Sequence, residues 1–254
     1  MDKTLVRQGV IQLELRLGKI HEAIKQTYSL EEFLRQSQNP VNVTLSVYSP
    51  LIGYYILLDN LDAARDALAT ATGMLQPPLD KFLAAAEALI QIKEDDFDGA
   101  NASLGRTGEV IEQFQVKFLE VQIHLVRAKI GEEQGEYASV TDEYLQSLDL
   151  IEQTVIAGGL QTIMPRVYSQ LAIAQIQTGD LDAAEQSIEA GYRLDQSEPM
   201  LWVAKARLQR ARNIPRLALA SVNYALAIWE GADEDYIRAK SAIALASELQ
   251  NTGH

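Results

Sequence analysis

The sequence predicts an all-α fold, a solenoid of about six antiparallel helical hairpins with a C-terminal capping helix. Three observations carry this. Apolar residues recur at spacings of three and four, as in Leu61, Ala64, Leu68, Ala71 and Leu75, and again in Leu181, Ala184, Ile188 and Gly191, which places each set on one face of a helix. Alternating β-branched runs, the mark of half-buried strands, do not recur. One punctuation returns six times: a small or polar turn, an apolar residue, then a helix opening on a small residue.

That punctuation reads LGKIHEAI at Leu17–Ile24, LDNLDAAR at Leu58–Arg65, EDDFDGAN at Glu94–Asn101, QGEYASVT at Gln134–Thr141, TGDLDAAE at Thr178–Glu185 and RNIPRLAL at Arg212–Leu219. The copies align on Ala23, Ala64, Ala100, Val140, Ala184 and Ala218, separated by 41, 36, 40, 44 and 34 residues. Twelve positions before an anchor stand Ala88, Ala128, Ala172 and Ala206; sixteen before stand Tyr48, Tyr168 and Trp202. Each unit is a helix–turn–helix with two apolar faces. A lone hairpin cannot bury both, and stacking hairpins can.

The first hairpin covers residues 3–38. Asn39-Pro40 opens the second, 40–76, because proline suits a first helical turn. Pro50 lies inside the Asn42–Leu58 helix and predicts a kink, or a restart with Ser49 as cap. Pro77-Pro78 opens the third, 79–114, in whose second helix Gly105 and Gly108 predict a bend or break. The fourth, 115–157, stops at Gly158-Gly159; the fifth is 160–196; Glu198-Pro199 opens the sixth, 199–230. A last helix, 233–250, is apolar at Tyr236, Ala239, Ile243, Ala246 and Leu249, and Asn251–His254 should fray. No break is long enough for an interdomain linker, so residues 1–254 read as one domain.

The pattern resembles the tetratricopeptide repeat. Tyr168, Leu171, Ala172, Gly179, Asp180, Ala184 and Ile188 match that family's motif, as do Trp202, Ala206, Ala218, Val222 and Ala225 at its 34-residue period. The longer separations resemble long-helix variants in bacterial signalling and transcription-regulator proteins of the maltose-activator type. The resemblance implies a right-handed superhelix whose first helices line a concave groove holding a peptide or protein segment. It implies a non-catalytic scaffold or, alternatively, a sensor or regulatory module of a larger signalling protein. The family's peptide-carboxylate clamp needs Lys and Asn where this chain has Gln8, Gln12, Ser49 and Gly53, so that clamp is not expected.

Composition narrows the chemistry. A formal net charge of −13 and a pI near 4.7 oppose nucleic-acid binding. With no cysteine, thiolate nucleophiles, zinc–thiolate sites and iron–sulfur clusters are excluded. The most apolar stretch, Leu45–Leu58, is short of the roughly 20 residues a membrane helix needs, and the charged N-terminus does not read as a signal peptide. A cytoplasmic location is expected, or a periplasmic one if the chain is a fragment. His21, His124 and His254 are too dispersed for a zinc motif. Glu94, Asp96, Asp98 and Gly99 imitate a calcium loop but fail at its first position and again at its twelfth, Gly105. No catalytic constellation, metal site or cofactor is expected.

Charge is unevenly placed. Ile130–Pro165 holds no Lys or Arg, whereas Pro199–Trp229 holds no Asp or Glu but carries Lys205, Arg207, Arg210, Arg212 and Arg216. Val203, Arg207 and Arg210 fall on one helical face. With Lys205 they form the candidate partner-binding set, suited to an acidic segment. The competing expectation pairs these arginines with carboxylates of neighbouring elements, such as Glu185 and Glu189. Ala23, Ala64, Ala100, Ala172, Gly179, Ala184, Trp202 and Ala218 are expected to be structural, and Tyr168 with Trp202 to be core.

Overall fold

The structure, a computed structural model, describes residues 3–36, 39–114, 117–153 and 160–252. Among these it is all-helical, without strands. Contacts divide it into two compact units: residues 1–115 with 231–238, and 116–230 with 239–254. The first holds α1 (Lys3–Arg16), α2 (Ile20–Arg35), α3 (Pro40–Val43), α4 (Ser49–Leu57), α5 (Leu61–Met74), α6 (Ala84–Lys93) and α7 (Phe97–Phe114). The second holds α8 (Lys117–Gln134), α9 (Tyr137–Gln153), α10 (Met164–Thr178), α11 (Leu181–Leu194), α12 (Pro199–Ala211) and α13 (Pro215–Ile228), with most of α14 (Ile237–Thr252). Helices pair as α1/α2, α4/α5, α6/α7, α8/α9, α10/α11 and α12/α13, and in the second unit α10 also packs on α9 and α12.

All six hairpin turns use one backbone solution. Gly18, Asp59, Asp95, Gly135, Gly179 and Asn213 each lie five residues before an anchor, with φ between +56° and +82°. Gly, Asn and Asp are the residues that tolerate this left-handed region. The next amide then reaches back to a carbonyl five residues earlier, from Lys19 to Glu14 in the first hairpin and Ile214 to Gln209 in the sixth, at 2.8–2.9 Å throughout. This is the bond that closes a helix C-terminus in a Schellman motif. The Asn60, Asp96 and Asp180 side chains then accept from the amides three residues on, at 3.1, 2.9 and 3.1 Å, and so start α5, α7 and α11. With the turn fixed, unequal spacings fall in helix lengths and inter-hairpin connections. Those before α6 and α10 carry 3₁₀ turns at Leu79–Leu83 and Leu160–Ile163, whereas only four residues separate α11 from α12.

The anchors Ala23, Ala64, Ala100, Val140, Ala184 and Ala218 are all 0% exposed, as are Ala88, Ala128, Ala172 and Ala206. Small residues at both points let paired helix axes approach closely; Ala172 and Ala184 share one cluster with Ile188, Ala204 and Leu208. Three hairpins add a polar tie at the same register. The Ser103, Ser187 and Ser221 hydroxyls donate to Gln91, Gln175 and Gln209 at 2.7–2.8 Å.

Several expectations are corrected. Pro50 neither breaks the helix nor uses Ser49 as a cap: α3 continues into α4 through a π-helical turn at Thr44–Tyr48. The wider turn moves the preceding carbonyls off the proline ring, which an α-helical register would bring into collision. Helix α7 runs unbroken through Gly105 and Gly108. The terminal helix begins at Ile237, with Tyr236 buried ahead of it, and continues through Thr252. Its buried stripe is Ala239, Ala242, Leu245, Ala246 and Leu249, while Ile243 is 54% exposed. Gly158-Gly159 and residues 253–254 lie outside the described residues. No helix among those described is long and apolar enough to cross a membrane.

Candidate functional site

Helix α12 carries the residues of interest. It opens at Pro199, with the buried Glu198 carboxylate accepting from the Met200 amide at 3.3 Å. Val203 points into the core, at 3% exposure, and offers nothing to a partner. Lys205 lies apart from the arginine face, because residues two apart on a helix point to nearly opposite sides. Its ammonium sits 5.6 Å from the ring centre of Tyr192 and 5.2 Å from that of Trp202. The candidate set therefore contracts to Arg207 and Arg210.

These two arginines differ. Arg210 is half exposed and donates from Nη1 to Glu248 Oε2 of α14 at 2.7 Å. Arg207 is mostly buried, and among the described residues it makes no hydrogen bond or ion pair. Burial pushes its guanidinium below the usual range, and so does the neighbouring charge of Arg210; Tyr137, Glu132 and Glu248 oppose the shift. It remains a cation at neutral pH. Tyr137 also lines an open groove of about 450 Å³ formed with Gly135, Glu136, Ala138, Ser139, Gln177 and Thr178. The competing expectation of neighbouring carboxylates describes Arg210, through Glu248, and Arg212, which holds Glu185 at 2.9 Å and Asp182 at 3.1 Å; it does not describe Arg207. Thus neither Arg207 nor Arg210 is tied to α11.

Trp202 and Tyr168 are half-buried, not fully buried as expected; Tyr168 still packs against the core cluster that holds Tyr144, Leu148 and Leu171. Trp202 stacks between Tyr192 (5.1 Å) and Tyr224 (4.1 Å), and its indole donates to the Gln196 carbonyl at 2.9 Å. Tyr224 is 52% exposed. No spacing in the sequence points to this stack, because its three rings come from three helices.

The histidines have structural partners. His124 Nδ1 lies 2.6 Å from Glu143 Oε2. His21 Nε2 lies 3.0 Å from Asp235, and the Asp233 carboxylate accepts from the His21 amide at 2.8 Å. His21, Asp233 and Asp235 are the one cluster of metal-ligand type among the described residues, but Asp233 already caps α2, whose positive end disfavours a cation. His254 lies outside the described residues. In the calcium-like segment Asp96 caps α7 and Glu94 binds Arg65 at 2.5 Å. Ser49 and Gly53 are part-buried and Gln8 and Gln12 exposed, with no positive charge among them.

No family model matches the chain, and no curated protein matches it. Solved structures do. A tetratricopeptide repeat protein from Parabacteroides merdae superposes with a TM-score of 0.58 at 14% identity, over 96% of this chain and 84% of that one. A signal-transduction ATPase with a tetratricopeptide repeat sensor from Pyrococcus horikoshii gives 0.62 at 16%, over 96% of this chain and 37% of that one. The Cut9–Hcn1 hetero-tetramer of the APC/C gives 0.59 at 17%, over 97% and 43%. At these identities the shared property is the fold. The chain shares the all-helical hairpin fold of these tetratricopeptide-repeat structures.

Proposed function

We propose that the chain is a non-catalytic protein-binding scaffold that takes an acidic segment of a protein or peptide partner against the Arg207–Arg210 face of α12. One observation carries the reading: a mostly buried guanidinium that Glu132 and Glu248 influence only through space, with no hydrogen-bonded carboxylate, beside a second arginine on a hairpin without a single acid from Pro199 to Trp229. Burying a charge without a directly bonded counter-ion is costly, and an incoming carboxylate would offset that cost. Arginine forks suit carboxylates geometrically. The net charge of −13 speaks against nucleic acid as the partner.

Charge reversal of both arginines tests this. Arg207→Glu with Arg210→Glu should abolish binding of an acidic peptide and leave the melting temperature close to wild type. Wild-type binding should weaken as salt rises. Lost stability with intact binding makes the arginines structural and removes the proposal. A second reading, a sensor module of a larger signalling protein, takes its support from the fold shared with the Pyrococcus repeat sensor. It requires a small ligand that raises the melting temperature, and a thermal-shift screen without hits would dismiss it.

A further inference from the structure

We propose that α14 is an internal occupant of the basic face, so that a partner engages α12 by displacing Glu248 from Arg210. This rests on the acidic-segment reading above and adds its regulation. The Arg210–Glu248 pair joins residues 38 apart in sequence. Its acid comes from outside the α12–α13 hairpin, which carries none of its own. Both side chains are half exposed or more, at 50% and 63%, and an ion pair in that setting is weak and exchangeable. It holds one arginine of two by a direct bond: Arg207, three positions earlier on the same face, feels Glu248 and Glu132 through space but makes no hydrogen bond to a carboxylate. Glu248 thus shows which chemistry the face accepts, a carboxylate, while filling only part of it. The residues α14 buries are three alanines and two leucines, whereas Ile243 points outward. A partner segment with two or more carboxylates can hydrogen-bond both guanidiniums, whereas Glu248 bonds Arg210 and reaches Arg207 only through space.

The test is fluorescence anisotropy of a labelled oligoglutamate peptide with the full chain. Wild type is compared with Glu248→Gln and with Glu189→Gln, which removes an exposed acid of α11 and changes the net charge equally. Glu248→Gln should bind about two- to five-fold tighter, the range that loss of one exposed ion pair supplies. Glu189→Gln should match wild type, and adding Arg207→Gln to Glu248→Gln should abolish the gain. Melting temperatures within a degree or so of wild type would show that α14 remains folded. Equal affinity of wild type and Glu248→Gln, or an equal gain in Glu189→Gln, overturns the competition while leaving the basic face standing. Failure of all three proteins to bind the peptide overturns the basic face itself, and this inference with it.

Discussion

Gly179 and Gly191 lie twelve residues apart and are glycine for different reasons. Gly179 closes α10 at φ +82° with no atom within 4 Å of where a Cβ would stand, so Gly179→Ala meets only the left-handed backbone penalty, about 1–2 kcal/mol. Gly191 is helical, but its Cβ would lie 2.4 Å from Leu201 Cδ2 and 3.2 Å from Tyr168 Cβ. Leu201 is fully buried and has nowhere to go. Gly191→Ala should therefore cost about 1–3 kcal/mol by overpacking, less the roughly 1 kcal/mol a helix gains from alanine. Urea melts distinguish the causes: Gly179→Asn should recover most of the loss, as Asn213 fills the equivalent turn, whereas Gly191→Asn should be worse than alanine. Tyr48 gives a residue-scale pH prediction. Burial and its 2.6 Å hydrogen bond to Glu31 push its hydroxyl up to about 12. The neutral form is favoured in the fold, so this contribution is complete below about pH 10 and is lost as pH rises through about 12. Tyr48→Phe should flatten that alkaline loss in pH-dependent melts.

At the scale of the element, the hairpin is held by small apolar contacts and one polar tie. Ala184→Leu should overpack the Ala172 contact and lower stability by about 1–3 kcal/mol. Ser187→Ala leaves the buried Gln175 amide oxygen without its donor and should cost about 1–3 kcal/mol. Because the cost is an orphaned group, the Gln175→Met, Ser187→Ala pair should be more stable than the sum of the single losses, measurable in a double-mutant cycle. The alanine anchors were legible because small residues at fixed offsets recur wherever helices touch. The turns were legible as Gly, Asp and Asn five residues earlier. The Gln–Ser tie was not, since a polar residue at a buried position looks like a surface residue until its partner is placed. Pro50 misled because a π-helical turn reconciles proline with a continuous helix, and no residue type announces such a turn. At the site, the positive run on α12 was visible, but grouping Lys205 with Arg207 ignored that residues two apart diverge around a helix. Glu248 could not be found from the sequence, as no periodicity links residues 210 and 248.

At the scale of the whole molecule, a repeat array has mostly near-neighbour contacts, so damage to one hairpin should spread only to those beside it. The first unit departs from that rule, because it includes residues 231–238. The Asp233 amide donates to the Gly18 carbonyl at 3.0 Å, and the Asp233 carboxylate accepts from the His21 amide at 2.8 Å. This supplies α2 with the cap that the Lys19 side chain does not give. Tyr236, 2% exposed, packs on Gly18 so closely that a Cβ there would stand 2.9 Å from its ring and 2.7 Å from Ala232 Cβ. Tyr236→Ala should therefore loosen the α1–α2 turn more than two hundred residues away in sequence, at the roughly 3–5 kcal/mol of a buried aromatic truncation. Amide hydrogen exchange reads this directly: Lys19 to Ile24 should lose protection, while the equivalent amides after Asn213 in the sixth hairpin should not. Gly18→Ala attacks the same contact from the other side and should give the same map. Unchanged protection at Lys19–Ile24 in both variants would mean that α2 is held by its own hairpin, and that residues 231–238 only rest upon it.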